Sequence, residues 1–208
     1  NISLDKFKSI TINQALKHPN WKMGKKISVD SATMINKVYE VIEARNIFNI
    51  NYKKIRILIH PKSYVHAILK FDNGLTKIIA HDTTMRIPIF NTLYSNNDKK
   101  LKSKAIDINS LNNLNFKTIE LKRFPIVKLL NILPQKQSLF ETVVVSANDT
   151  LVELFLNNKI KFTDIQKKLF MIINKKKFLK FKKRYPKKIH DIVELNNYVR
   201  LKTLENCI

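Results

Sequence analysis

Glycine occurs at only two of the 208 positions in this chain, 24 and 74. Loops that cradle a pyrophosphate or triphosphate need several closely spaced glycines, because the backbone must turn tightly and approach the phosphates with no Cβ in the way. Neither a G-x-G-x-x-G fingerprint nor a P-loop can be written with Gly24 and Gly74, so a dinucleotide-binding domain, if one is needed, lies elsewhere. Gly74 has another use. "DNG" (72–74) separates two β-branched runs, "YVHAILKF" and "LTKIIAH", and predicts a tight hairpin whose primed turn has φ > 0 at its centre. With "KIRILIH" (54–60) ahead of it, the stretch 54–81 is expected to form at least three strands.

Elsewhere the apolar period is helical. "TINQALKH" is a short helix candidate that Pro19 ends, and "HPNWKMGKK" (18–26) reads as an ordered loop with apolar anchors. From Ser31 to about Phe48, Met34, Ile35, Val38, Val41 and Ile42 fall on one helical face, and Asn36, Lys37, Glu40 and Glu43 on the opposite one. Pro88 sets a bend in "MRIPIFNTLY" (85–94). Residues 96–123 are Asn/Lys-rich with isolated apolar anchors and read as a linker or surface strap. Beyond Pro125, "IVKLLNIL", "SLFETVVVSANDTLVELFLNN", "FTDIQKKLFMIINKKKFLKF" and "IHDIVELNNYVRLKTLENC" predict a helical bundle. The expected class is α+β: a part with a small mixed sheet and helices over 1–95, a linker over 96–123, and a bundle over 124–208.

No apolar run reaches the roughly 18 residues that cross a bilayer, and the start has no apolar signal core, so a cytoplasmic protein is expected. The single cysteine, Cys207, excludes an internal disulfide and a cysteine-based zinc site. A net charge of +23 invites a nucleic-acid partner, and the run 174–188, with Phe178, Phe181 and Tyr185 among its lysines, is the segment to carry one. Against this, lysine is spread along the whole chain together with asparagine and isoleucine, which marks a drift in composition. The aromatics of 174–188 also fit the buried stripe of a helix with a solvated lysine face.

The segment 18–44 holds the best candidate site. Ser31 stands where a helix N-cap is expected, and a helix N-terminus offers free N–H groups and a positive dipole end to a phosphate. Lys37 adds a charge and Asn36 a donor. Glu40 and Glu43 beside an anion site imply a divalent cation between the negative groups. The plain alternative is a capped surface helix with a Lys37–Glu40 pair, and residue types alone favour it. Trp21 and Met23 fit either a lid or a loop anchor, His18 an anion contact or a turn, and His60 and His66 structural roles in strands.

Resemblance reverses that preference. "HPNWKMGKKISVDSATMINK", followed by Glu40 and "IEA" (42–44), resembles the signature segment of the 1-deoxy-D-xylulose 5-phosphate reductoisomerases, and "LIHPKSYVHAILKFDNG", "MRIPI" and "FTDI" resemble later parts of that family in order. The resemblance implies an NADPH-dependent, Mg²⁺- or Mn²⁺-assisted rearrangement, retro-aldol then aldol, and a reduction, in a bacterial, cytoplasmic homodimer acting on a phosphorylated sugar. It implies substrate contacts from His18, Ser31, Asn36 and Lys37, a metal ligand in Glu40 that also meets substrate, and an acidic helper in Glu43. Trp21 and Met23 correspond to a lid, Gly24 and Met85 to cofactor contacts, and His66 to a lesser site residue. The family's Rossmann-like NADPH domain and its acidic D-S-E motif are absent from these residues, so the chain is expected to be the C-terminal half and inactive alone. "AHDTT" (80–84), Tyr39 and "SANDT" (146–150) depart from the family pattern.

Overall fold

The computed structural model describes residues 3–17, 23–94, 99–105 and 107–207. Its regular elements run α1 (Ile12–Ala15), α2 (Lys25–Thr33), α3 (Ile35–Phe48), β1 (Leu58–Ile59), β2 (Val65–Lys70), β3 (Thr76–Ala80), α4 (Arg86–Leu93), α5 (Ile108–Asn112), β4 (Lys117–Thr118), α6 (Phe140–Leu156), α7 (Phe162–Ile173), α8 (Lys176–Leu179) and α9 (Ile189–Glu205). Two compact units form: one from the described parts of 1–18, 22–56 and 120–208, the other from those of 57–119.

The first unit is built around α6. Its start is fixed by Ser138 and Glu141: Glu141 Oε2 accepts from Ser138 N at 3.1 Å and from Ser138 Oγ at 2.6 Å, and Ser138 Oγ accepts from Phe140 N at 3.1 Å. That is the capping-box chemistry of S-x-x-E. Phe140, Val143, Val144, Ala147, Leu151, Val152 and Phe155 are all buried, so α6 is apolar nearly all round and takes the centre, with α7, α9 and α2 against it. α7 buries Phe162, Ile165, Leu169 and Ile172 at helical spacing, and α9 buries Leu195, Val199 and Thr203. Truncating Leu151, which is fully buried, to Ala should cost about 2–5 kcal/mol in urea unfolding.

"IVKLLNIL" is a 3₁₀ helix, Pro125–Asn131, and not the α-helix its apolar content suggests. Residues three apart eclipse in a 3₁₀ helix, and that alignment is what buries Ile126 and Leu129 together. Ahead of it, Tyr52 is buried and its hydroxyl has no hydrogen-bond partner among the described residues. Burial, then the Glu141 charge, push its pKa up to about 12 against the pull of Arg45. The fold therefore prefers the neutral phenol. Its contribution is fully present below the unfolded value near 10 and is lost as pH climbs towards the folded one. Tyr52→Phe should raise Tm, and by more near pH 11 than near pH 8.

α2 packs on α3 and α6, and α3 on the 125–131 helix, so residues 25–48 share a core with the bundle. The compact units thus do not follow the expected cuts at 95 and 124. Nor is 96–123 only a strap. Asp107 caps α5 by accepting from Asn109 N at 3.0 Å, and β4 pairs antiparallel with β1, Leu58 opposite Thr118.

In the second unit β2 and β3 form the expected hairpin, Leu69 opposite Lys77. Its turn differs from the expected primed type. Gly74 N donates to Phe71 O (3.0 Å), Phe71 N donates to Leu75 O (2.9 Å), and only Gly74 of the loop has positive φ, +88°. This is a three-residue loop closed by a left-handed glycine. Among the described residues the expected mixed sheet is instead two separate two-stranded antiparallel sheets, since so short a loop allows no parallel pairing and β1 finds its partner in β4. Where a bend at Pro88 was expected, a helix runs through it: Pro88 is the third residue of α4, where its missing N–H has no partner to lose. The α+β class stands.

Candidate active site

The expected single helix from Ser31 is two helices. α2 starts after Gly24, and Lys26 and Asp30 pair across one of its turns at 3.0 Å. It runs past Ser31, so that serine lies in the last turn of α2 and caps nothing with its side chain. Met34 then takes the left-handed conformation, φ 70° and ψ 8°, with its N–H donating to Ser31 O at 3.1 Å. For a residue with a Cβ this geometry costs roughly 1–2 kcal/mol and persists only where the surroundings hold it. Its effect is to end one helix and begin another at once, so that Ser31 lies within six residues of the first turn of α3, which carries Asn36 and Lys37.

On α3 the division of faces is as expected. Ile35, Val38, Val41 and Ile42 are buried, and Lys37, Glu40 and Glu43 are exposed. Glu40 Oε1 accepts from Asn36 Nδ2 at 2.8 Å, and Lys37 Nζ lies 2.9 Å and 2.7 Å from the two carboxylate oxygens. Both Lys37 and Glu40 remain nearly half exposed, so the pair itself adds little stability. It does hold an ammonium, an amide and a carboxylate together at one accessible helix start.

Behind this face lies a buried polar cluster, of which the sequence marked only Tyr39 and "SANDT" (146–150), as departures from the family pattern. Asp30, next to Ser31, accepts from Asn148 Nδ2 of α6 at 2.8 Å and from Lys26 Nζ at 3.0 Å, and Lys26 also reaches Asp149 at 2.9 Å. Burial pushes the Asp30 carboxyl above its ordinary range despite the donors from Asn148 and Lys26. Burial works against the Lys26 ammonium too, but Asp149 and Asp30 outweigh it and raise its pKa. The buried Tyr39 hydroxyl is pushed well up, first by burial and then by the charges of Asp30 and Asp149. Asp30 and Lys26 at i,i+4, and polar 146, 148 and 150 on an otherwise apolar helix, were the available signals.

Of the other expected site residues, His18 and Trp21 lie outside the described residues. Met23 is half-buried just before α2. Gly24 is the exposed N-cap, and a Cβ built on it meets nothing within 4 Å, so the start of α2 can be approached freely. Met85 belongs to the second unit, 56% exposed in the turn before α4. His66 sits at the bulge in β2 and stacks on His81, ring centroids 3.6 Å apart. Phe178 and Phe181 of the basic run are buried, as the stripe reading requires, which leaves Tyr185 as its exposed ring. Among the described residues no three His, Cys, Asp or Glu side chains gather as a metal site, and no helix is long and apolar enough to cross a membrane.

Ser31, Asn36, Lys37 and Glu40 thus lie on a pair of helices backed by the helical bundle of the first unit, in a chain of α+β class. Residues 1–48 match the model of the 1-deoxy-D-xylulose 5-phosphate reductoisomerase C-terminal domain and residues 82–202 that of the DXP reductoisomerase C-terminal domain; the chain belongs to this family. The reductoisomerase of Pelagibacter ubique is 63% identical over 97% of the chain, and that of Anaplasma phagocytophilum 41% over 83%. These matches cover 52% and 46% of the relatives, so the chain spans about half their length. Among solved structures, the Zymomonas mobilis enzyme in complex with NADPH aligns over 97% of the chain and 50% of its own, with TM-score 0.82 and 29% identity. A DOX-P reductoisomerase in complex with NADPH, fosmidomycin and magnesium aligns over 99% of the chain and 51% of its own, with TM-score 0.88 and 28% identity.

Proposed function

We propose that the chain is the substrate-gripping and C-terminal helical half of an enzyme that converts 1-deoxy-D-xylulose 5-phosphate to 2-C-methyl-D-erythritol 4-phosphate for isoprenoid synthesis, using NADPH and Mg²⁺ or Mn²⁺. The observation that carries this is the Asn36–Lys37–Glu40 trio at the accessible start of α3, five to nine residues beyond Ser31. The complexes of similar structures with NADPH and magnesium support the cofactors.

Ser31, Asn36 and Lys37, with His18, bind the phosphorylated substrate. Lys37 supplies the charge, and the first N–H groups of α3 the dipole. Glu40 is the metal ligand, with Glu43 an acidic helper on the same face. One carboxylate fits a magnesium or manganese ion as a ligand but does not complete a tight site, and the rest of the set belongs to the half outside this chain. When bound, the ion polarises the substrate's oxygens and NADPH supplies the hydride. In the described structure Lys37 and Glu40 satisfy each other, so phosphate for the one and a cation for the other both compete with their pairing. Trp21 and Met23 close over the substrate and exclude water. Gly24, whose side is open, and the exposed Met85 contact the cofactor.

The aliphatic residues of β2 and β3, Ile68, Leu69, Ile78 and Ile79, are 41–52% exposed. A two-stranded hairpin is marginal by itself. A homodimer in the bacterial cytoplasm, together with the half that the relatives carry beyond the matched part, gives those residues cover. The 208 residues alone are expected to show no NADPH consumption with substrate and Mg²⁺, whereas the same residues joined to the half that the relatives carry should turn over. Activity of the isolated chain would contradict the division of the site.

A further inference from the structure

The polar cluster behind α3 is the feature that the proposed chemistry leaves unused, and it has an unusual place. Asp30 precedes Ser31, Tyr39 precedes Glu40, and both point into the interior where α6 presents Asn148 and Asp149. We infer that Asn148 and Asp30 form a positioning pair, through which the central helix of the bundle sets the end of α2, and with it Ser31, against the first turn of α3.

The Asp30 side chain is 3% exposed, so its carboxylate depends on the two donors it has. One, Lys26, is shared with Asp149 and stands on the same helix as Asp30; it cannot fix α2 relative to α6 through Asp30. Asn148 can, because its Nδ2 reaches across from α6. Its Oδ1 and the Tyr39 hydroxyl are both buried without a hydrogen-bond partner of regular geometry among the described residues, and the Asn148 side chain reaches the neighbourhood of that hydroxyl. Asn148 is thus the α6 side chain that hydrogen-bonds the residue before Ser31 and also lies near the residue before Glu40. An amide suits that post: its N–H donates to a carboxylate and carries no charge of its own into the interior. The left-handed Met34 between the two helices is where a change of spacing would be felt first, since a strained joint holds only while its neighbours do.

The assignment rests on Ser31 being a substrate contact. The test uses the enzyme at the full length of its relatives, with 1-deoxy-D-xylulose 5-phosphate, Mg²⁺ and NADPH, and thermal melting to verify folding. Asn148→Asp sets one carboxylate against another and should raise substrate KM about tenfold with kcat reduced less than about threefold. Asp30→Asn, a neutral isostere, is the second variant and should do the same. The double swap, Asp30→Asn with Asn148→Asp, restores donor and acceptor with their roles exchanged and should bring KM back to within about threefold of the parent. A merely structural role predicts lowered Tm with parental KM in each folded variant. Parental KM in both folded single variants, or no recovery in a folded double swap, overturns the inference. A parent protein that does not turn over overturns the functional reading first, and this assignment with it.

Discussion

Glu40→Gln in the full-length protein is expected to lower kcat/KM by about 10²–10³-fold, and the loss should be partly recovered at raised Mg²⁺ or Mn²⁺. Glutamine keeps the shape of the side chain and one acceptor oxygen, so Asn36 and Lys37 retain a partner while the charge that attracts the cation is gone. Folding should be unaffected, because the carboxylate is nearly half exposed and its ion pair contributes little. Steady-state NADPH oxidation across a metal titration gives the answer. Turnover near the parental value at low metal would remove Glu40 from the ligand set and leave the Lys37–Glu40 contact as ordinary surface pairing.

Lys37→Ala carries the second large effect. A charge-assisted hydrogen bond to phosphate is worth about 1.5–3 kcal/mol, which corresponds to a rise in substrate KM of roughly 10–150-fold. The metal requirement should move little, since Glu40 keeps its oxygens and loses a competitor for them. A second measurement separates charge from geometry: Lys37→Arg keeps the charge on a longer, planar group and should fall between the parent and Lys37→Ala. An unchanged KM for Lys37→Ala would leave the phosphate to other residues.

How far the sequence could be read depended on the range of the forces involved. The buried face of α3 was legible because Ile35, Val38, Val41 and Ile42 repeat at helical spacing, and a local period needs no tertiary knowledge. The β2–β3 hairpin was legible from "DNG", yet its turn type was not, because a primed turn and a three-residue loop closed by left-handed Gly74 use the same residues. The helix start was misplaced by seven residues at Ser31. A serine before an apolar run looks like a cap, but the decision fell to Gly24 upstream and to a left-handed methionine, a conformation that no propensity scale favours. β4 was hidden inside a polar stretch because two residues pairing with β1 across about sixty positions leave no local pattern.

The same division applies to the site. Asn36, Lys37 and Glu40 lie within five residues of one another, so their meeting on one face could be derived from spacing, although only resemblance tipped the choice from surface pairing to substrate grip. Asp30 and Asn148 are 118 residues apart and their contact depends on the packing of α2 against α6, which no spacing argument reaches. Met85 was named by resemblance alone; its place in the second compact unit says only that it is exposed before α4.

The central claim is that these residues grip the phosphorylated sugar for a reductive rearrangement. Its most direct test is NADPH consumption by the full-length protein with 1-deoxy-D-xylulose 5-phosphate and Mg²⁺, with the product identified by NMR. Oxidation of one NADPH for each 2-C-methyl-D-erythritol 4-phosphate formed, lost in Glu40→Gln, is the predicted result. A folded, NADPH-binding protein that leaves this substrate unchanged would contradict it.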